Sequence, residues 1–325
     1  MAGERDDEAG THPGPRRILV TGSSGYLGAA LVERLRHLGH EVVGLDLLPG
    51  PATDLCGSVA DREFVRAAVL GRRVDAVVHT AALHKPHVAT HHPEAFLATN
   101  VEGTRHLLEA ALASGSQVRQ FVFTSTTSLM ISAELRAGKG GGRTRAAWMT
   151  ESFAPLAPRN IYGVTKLAAE QLCAEIHRAH GLPITILRTS RFFPEDDDMA
   201  HTIAQSEPNT KANELLFRRL SLADAVESHV VALRRGAELG LDTFIVSART
   251  PFHEDDCAAL IDDAPAVVAR YFPEYPQIYA RLGWSMFASI DRVYVSTRAE
   301  QVLGFHPRDS FAAKLRELAD PAWPG

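Results

Sequence analysis

Cysteine is scarce in this chain: Cys56, Cys173 and Cys257 lie far apart and form no CxxC pair. An odd, scattered set excludes a disulfide framework and points to a reducing, cytoplasmic setting. Long apolar runs are missing too. None approaches the roughly 20 residues needed to span a bilayer. The first fifteen residues are polar, lack the apolar core of a secretion signal, and read as a disordered tail over 1–15. A large charge of either sign is also absent. The formal net charge of −5 supplies no basic field for nucleic acid and none for an anionic membrane surface. The remaining 45% hydrophobic and 22% charged residues are ordinary globular texture, and 325 residues suit one large domain or one domain with a smaller lobe.

From residue 16 short apolar runs alternate with helical periodicity. Strands are expected at 16–21 (RRILVT), 41–46 (EVVGLD), 74–79 (VDAVVH), 120–126 (QFVFTST) and 184–189 (ITILRT). Helices are expected at 26–38, from the Asp61 cap to 70, at 93–113 and at 162–180. In the first of them Leu27, Leu31, Leu35 and Leu38 share one face, and Gly39 ends it. Continuous apolar strands need cover on both faces, as in a parallel sheet between helix layers. Right-handed crossovers then give an α/β fold with a doubly wound parallel sheet. After residue 189 the alternation weakens to a helix at 218–233 and a last strand at 243–247. The Pro- and aromatic-rich segment from 251 is expected to form a smaller C-terminal lobe. The reading assigns 16–190 plus about 218–248 to a dinucleotide-binding domain, and 191–217 plus 249–325 to a substrate-binding lobe.

The first strand runs into Thr21-Gly22-Ser23-Ser24-Gly25-Tyr26-Leu27-Gly28. Gly22 allows a tight turn, Gly25 a close approach of backbone to a diphosphate, and Gly28 close packing of helix on strand. The diphosphate would sit at the helix N-terminus, against Ser24, Gly25, Tyr26 and Leu27, where free N–H groups and the dipole favour negative charge. Asp46 ends the second strand, eighteen residues past Gly28. A carboxylate there accepts bonds from ribose hydroxyls and repels a 2′-phosphate. Leu47 and Leu48 supply no arginine to bind that phosphate, which favours NAD over NADP.

Tyr162-Gly163-Val164-Thr165-Lys166 has YxxxK spacing, and positions i and i+4 share a helix face. An ammonium beside the phenol is expected to lower the Tyr162 pKa, so that it can exchange a proton with an alcohol. A hydroxyl-rich strand end precedes the helix at Thr124-Ser125-Thr126-Thr127-Ser128, able to bond both a substrate oxygen and the tyrosine.

TGSSGYLG, the acidic end of LDL, VDAVVHTAA, Asn100 in TNVEGT, FVFTSTTS and IYGVTK stand in the order and spacing of the extended short-chain dehydrogenases/reductases. Over roughly residues 16–248 the chain resembles the NAD-dependent epimerase/dehydratase family of that class. The resemblance implies a Rossmann fold binding NAD, with Gly22, Gly25 and Gly28 along the diphosphate and Asp46 on the ribose. It implies Ser58 and Val59 near adenine, Ala81, Ala82 and His84 along the cofactor, Thr124 bordering the same site, and Asn100 as a structural polar residue below it. Tyr162 would be the acid/base, Lys166 its partner, and Thr126 the hydroxyl that polarises substrate beside Thr127. Relatives often dimerise through a four-helix bundle that would include the 93–113 and 162–180 helices. The chain departs from the family where dehydratases carry an Asp-Glu pair, since Thr127-Ser128 stand there. It departs again where nucleotide-sugar epimerases carry Asn, since Arg191 stands there and could bind a phosphate. Two activities follow. One is transient or net oxidation of a secondary alcohol on a sugar or nucleotide-sugar. The other is dehydrogenation or ketone reduction on a non-nucleotide small molecule.

Other features have plain and sharp readings. His79, His84, His87, His91 and His92 match no zinc spacing, so no metal is expected. RAGKGGGRTR at 136–145 is a solvated loop or a flap bringing positive charge to an anionic substrate. The acidic run Glu195–Asp198 reads as solvated loop, Asp224 as structural, and Arg218, Arg219 and Arg292 as surface charges or diphosphate contacts.

Overall fold

The computed structural model describes residues 15–193 and 205–320. Residues 1–14 of the expected tail and the acidic run Glu195–Asp198 lie outside the described residues.

The strands in chain order are β1 (Arg17–Thr21), β2 (Glu41–Asp46), β3 (Leu55–Cys56), β4 (Ala76–His79), β5 (Phe121–Thr126), β6 (Ala147–Met149), β7 (Ile184–Thr189), β8 (Leu241–Val246) and β9 (Arg292–Tyr294). Seven form one sheet in the order β3-β2-β1-β4-β5-β7-β8, and β6 pairs with β9 in a separate ribbon. Every pairing is parallel. The helices before β7 are α1 (Tyr26–His37), α2 (Arg62–Gly71), α3 (Pro93–Phe96), α4 (Gly103–Ala113), α5 (Ala133–Ala137) and α6 (Ile161–His180). Those after it are α7 (Glu207–Glu214), α8 (Leu222–Leu239), α9 (Cys257–Asp262), α10 (Ala264–Tyr271), α11 (Tyr275–Leu282) and α12 (Phe311–Ala319).

The period-2 pleat sends alternate residues of each strand to opposite helix layers. Ile18 and Val20 of β1 join Leu27, Leu31 and Leu35 of α1 and Val230 and Leu233 of α8 in one core. Leu19 of β1 joins Val65 of α2, Leu107 of α4 and Ala169 of α6 in the other. This is why the strands read as unbroken apolar runs. A third core gathers Phe252, Tyr275, Tyr279 and Phe311 among α9 to α12. Among the described residues no helix is long and apolar enough to cross a membrane.

Two elements differ from expectation. The 93–113 helix is interrupted by a π-helical turn at Leu97–Glu102 that carries Asn100, a shift in bonding that apolar spacing cannot register. The helix expected from 218 begins at Leu222, because the Ser221 hydroxyl caps it by accepting from Asp224 N at 3.1 Å. Arg219 is used instead in a parallel bridge to Arg191. Asp224, as expected, is structural: its carboxylate accepts from Arg308 N and Asp309 N, each at 3.0 Å.

Successive connections turn one way from β1 to β3 and the other way from β4 onward, so the order reverses between β1 and β4. A crevice outside the carboxyl ends of the strands belongs at such a reversal.

Candidate active site

A cleft of about 580 Å³ lies there, walled by the ends of β1, β2, β4, β5 and β7. Gly22, Gly25, Tyr26, Leu27 and Gly28 form one wall. Gly22 sits at φ +75°, and a Cβ on it would stand 2.8 Å from Ala81 N. A Cβ on Gly28 would stand 1.9 Å from the Gly22 carbonyl oxygen. The turn is thus a cradle that any side chain would fill. No side chain caps α1 and no acid lies in its first turn, so its N-terminus is left to an anion. Asp46 lines the cleft one strand over. Its carboxylate accepts from Ser24 N and Leu48 N, each at 2.9 Å, which fixes the side chain. These groups fit a dinucleotide: a bare turn for the diphosphate and an oriented carboxylate for a ribose. Gly28→Ala is expected to cost roughly 1–3 kcal/mol of stability by overpacking. Dinucleotide affinity is expected to fall at least about tenfold as the turn is displaced, read by calorimetric titration with NAD beside the parent protein.

Most of the expected contact residues line this cleft: Ser58, Val59, Ala81, Ala82, His84, Thr124, Thr126, Thr127, Tyr162, Lys166 and Arg191. Two do not. Ser24 faces away and works through Asp46, with its hydroxyl donating to Leu48 O at 2.8 Å. Asn100 is 1% exposed and lies beneath the cleft. Its carboxamide accepts from Leu83 N at 2.9 Å and donates to Leu83 O at 2.9 Å and Thr165 Oγ1 at 3.0 Å. It therefore ties the β4 loop to α6 rather than touching a ligand.

Asn160 caps α6, accepting from Gly163 N at 3.0 Å, and so places Tyr162 and Lys166 in its first two turns facing the end of β5. Thr126 lines the cleft beside Tyr162, close enough to lower the phenol's pKa, and its hydroxyl accepts from Ser128 N at 3.1 Å. The Lys166 ammonium lies 3.9 Å from the Phe123 ring centroid. The expected electrostatics need correction. Burial raises the Tyr162 phenol to about 12, against which Thr126 is the smaller, lowering effect. Burial likewise takes Lys166 down to about 7, opposed by Cys173 and Glu170. Within the protein alone desolvation outweighs the effect of Thr126, so the phenol is held protonated.

One turn below Lys166, Glu170 accepts from Ser125 Oγ at 2.6 Å and from Arg188 Nη2 at 2.7 Å. Ser125 and Arg188 are register partners on β5 and β7. The pair thus pins both strands to α6.

Buried histidines surround the site. His229 Nδ1 lies 2.7 Å from Ala225 O and so must donate, leaving Nε2 to accept from the Thr124 hydroxyl at 2.7 Å. That arrangement needs a neutral ring, and burial pushes His229 down to about 4. His84 is lowered to about 4 as well, by burial and then by His87. Between pH 6.5 and 4 the unfolded chain binds protons that these rings refuse in the fold. Stability is therefore expected to fall as pH drops through that window, by on the order of 2–3 kcal/mol for His229 alone. Urea unfolding at pH 7 and pH 4.5 measures it, and His229→Gln should flatten the slope. His84 stacks on Phe193 at 4.8 Å between centroids, and His87 lies 4.4 Å from His84. Among the described residues no group of three His, Cys, Asp or Glu side chains could hold a metal ion.

Sequence reading left several lining residues without a firm role, among them Phe193, Arg136, Arg159, Arg218, Arg292 and Tyr294. They come from separate segments with no shared spacing. The available signals were the basic composition around 136–145 and the charges of Arg218 and Arg292. Behind them Glu214 is fully buried, 2.8 Å from Arg218, 2.6 Å from Arg219 and 3.9 Å from Arg191. Burial alone would raise its carboxyl, but the three guanidiniums outweigh that and hold it below its ordinary value.

A model of the NAD dependent epimerase/dehydratase family matches residues 18–221. The chain is 34% identical to the UDP-glucose 4-epimerase of Streptomyces lividans over 175 residues, 51% of this chain and 49% of that protein. It is 35% identical to the 3-beta-hydroxysteroid dehydrogenase of Mycolicibacterium neoaurum over 128 residues, 36% of this chain and 34% of that one. The chain spans about half the length of the curated relatives it matches, or less. A crystal structure of a short-chain dehydrogenase/reductase superfamily protein from Agrobacterium tumefaciens, with bound NAD, superposes with a TM-score of 0.63. The two are 28% identical, with 93% of this chain and 95% of that one covered.

Proposed function

The chain belongs to the NAD-dependent epimerase/dehydratase family, and from that premise we propose that it is an NAD-dependent oxidoreductase or epimerase acting on a secondary alcohol of a sugar or nucleotide-sugar. One observation carries the reading: Thr126, Tyr162 and Lys166 border the same cleft as the bare glycine turn and Asp46. The turn and the α1 N-terminus would hold the NAD diphosphate, and Asp46 the adenosine ribose. NAD supplies a hydride acceptor and donor. The residues of the chain do the rest. Thr126 donates a hydrogen bond to the substrate oxygen and keeps Tyr162 aligned on it. Tyr162 takes the hydroxyl proton when the alcohol is oxidised and returns it when a carbonyl is reduced. Lys166, buried beside Phe123, keeps positive charge near the phenolic oxygen while the proton is away. A proton held tightly by Tyr162 suits the donating direction first.

A substrate oxidised and re-reduced in one turnover leaves NAD in place, whereas net oxidation requires exchange. Denaturing the purified protein and assaying the supernatant for stoichiometric NAD separates the two. Retained NAD supports epimerisation. Free exchange with steady NADH formation supports the dehydrogenase on a non-nucleotide molecule. The scarce, unpaired cysteines support a cytoplasmic setting. Leu97 and Val164, each nearly half exposed and lying on the π-turn and on α6, support a homodimer through those helices.

A further inference from the structure

Three arginines from separate segments meet on the β7 side of the cleft. Arg136 ends α5, and a Cβ on Gly138 just after it would lie 3.4 Å from the Asp291 side chain, next to Arg292 in β9. Tyr294 N donates to Phe217 O at 2.9 Å, which sets Arg218 beside the same strand. All three side chains line the cleft. Arg292 contacts Asp291 at 2.6 Å and Arg218 contacts Glu214 at 2.8 Å. Each guanidinium has five donors, so these contacts leave others for a ligand. Burial and then the charges of Arg218 and Arg292 lower the Arg136 pKa, so the cluster repels itself and an entering anion relieves it.

Among the described residues the cleft reaches no further than these arginines and Tyr294 on this side. Among the described residues it takes no lining from 219–291. The aromatics Tyr275, Tyr279, Trp284 and Phe287, able to stack on a base, pack into their own core.

Resting on the reading of Tyr162 and Thr126 as the reacting centre, we propose that Arg136, Arg218 and Arg292 bind the acidic group of a compact sugar, a carboxylate or a phosphate, and that the substrate is a monosaccharide acid rather than a nucleoside diphosphate sugar. The acid anchors one end of the sugar and presents a ring hydroxyl to Tyr162.

The test is calorimetric titration of the NAD-saturated full chain with glucuronate, galacturonate, glucose 6-phosphate, glucose and UDP-glucose. At least one acidic monosaccharide should bind about tenfold or more tightly than glucose, and more tightly than UDP-glucose. A preference for the uronates or for the phosphate ester identifies which acid is meant. Arg136→Met, at a half-buried position outside the cores, should bring the Kd of that acid to within a few-fold of that of glucose, as expected for a lost charge-assisted contact. Arg143→Met, on the same loop but outside the cleft, should leave the Kd unchanged. Equal binding of acids and glucose, or tightest binding of UDP-glucose, overturns the proposal. The readout is binding, so Tyr162→Phe should keep the acid preference. A failure of the catalytic reading is thereby distinguished from a failure of this one.

Discussion

Tyr162→Phe is expected to lower turnover by about 10²- to 10⁴-fold, the range for removing a positioned general acid or base, while NAD binds as before. The substitution deletes one oxygen from a side chain that is 9% exposed, so packing changes little. It removes the proton donor held near 12 and the neighbour of Thr126. Thr126 and Lys166 remain, which keeps substrate binding and isolates the proton step. In the reducing direction the parent protein should keep its activity through neutral pH, because the phenol stays protonated well above it. Steady-state rates with the best sugar substrate, alongside NAD affinity, provide the measurement. A variant within tenfold of the parent would remove Tyr162 from the chemistry.

Glu170→Leu is expected to cost about 3–5 kcal/mol, because it strands Arg188 as an uncompensated charge inside the sheet. The two side chains are 4% and 8% exposed, and Glu170 also accepts from Ser125. A loss of that size is a large part of the roughly 5–15 kcal/mol that holds a domain folded. It should appear as a sharp drop in the urea midpoint. Arg188→Leu added to Glu170→Leu should recover at least half of it, since replacing both partners with apolar groups is often neutral. The cycle separates a pair that is merely costly to break from one that stabilises the fold outright. If the single substitution costs under about 1 kcal/mol, water must reach Arg188, and the strand-pinning role fails.

The helix–strand alternation was legible because each strand needed only local information. Ile18, Leu19 and Val20 read as a two-faced strand before their partners were known, and Leu27, Leu31 and Leu35 read as one face of a helix. The π-turn was not legible, since a single added residue per turn leaves the apolar count almost unchanged. The short β3 and α7 were missed for lack of length. At the cleft, Gly22, Asp46, Tyr162 and Lys166 were picked out by motif spacing together with the hydroxyl-rich end of β5 and the family resemblance, and all four line it. Ser24 was assigned to the cofactor by position, whereas its bonds run to Asp46 and Leu48, and Asn100, read as a structural polar residue below the site, bonds Leu83 and Thr165 there.

The chain order by itself determined the parallel sheet, the bare glycine turn and the face shared by Tyr162 and Lys166, because each follows from residues within one strand, turn or helix. Tertiary structure alone decided how tightly Tyr162 and Lys166 hold their protons, since that depends on burial, which no local pattern encodes. It also decided that Glu170 meets Arg188 and that Arg136 comes near Arg292, pairs that become neighbours only when helices α6 and α5 are packed against strands β7 and β9.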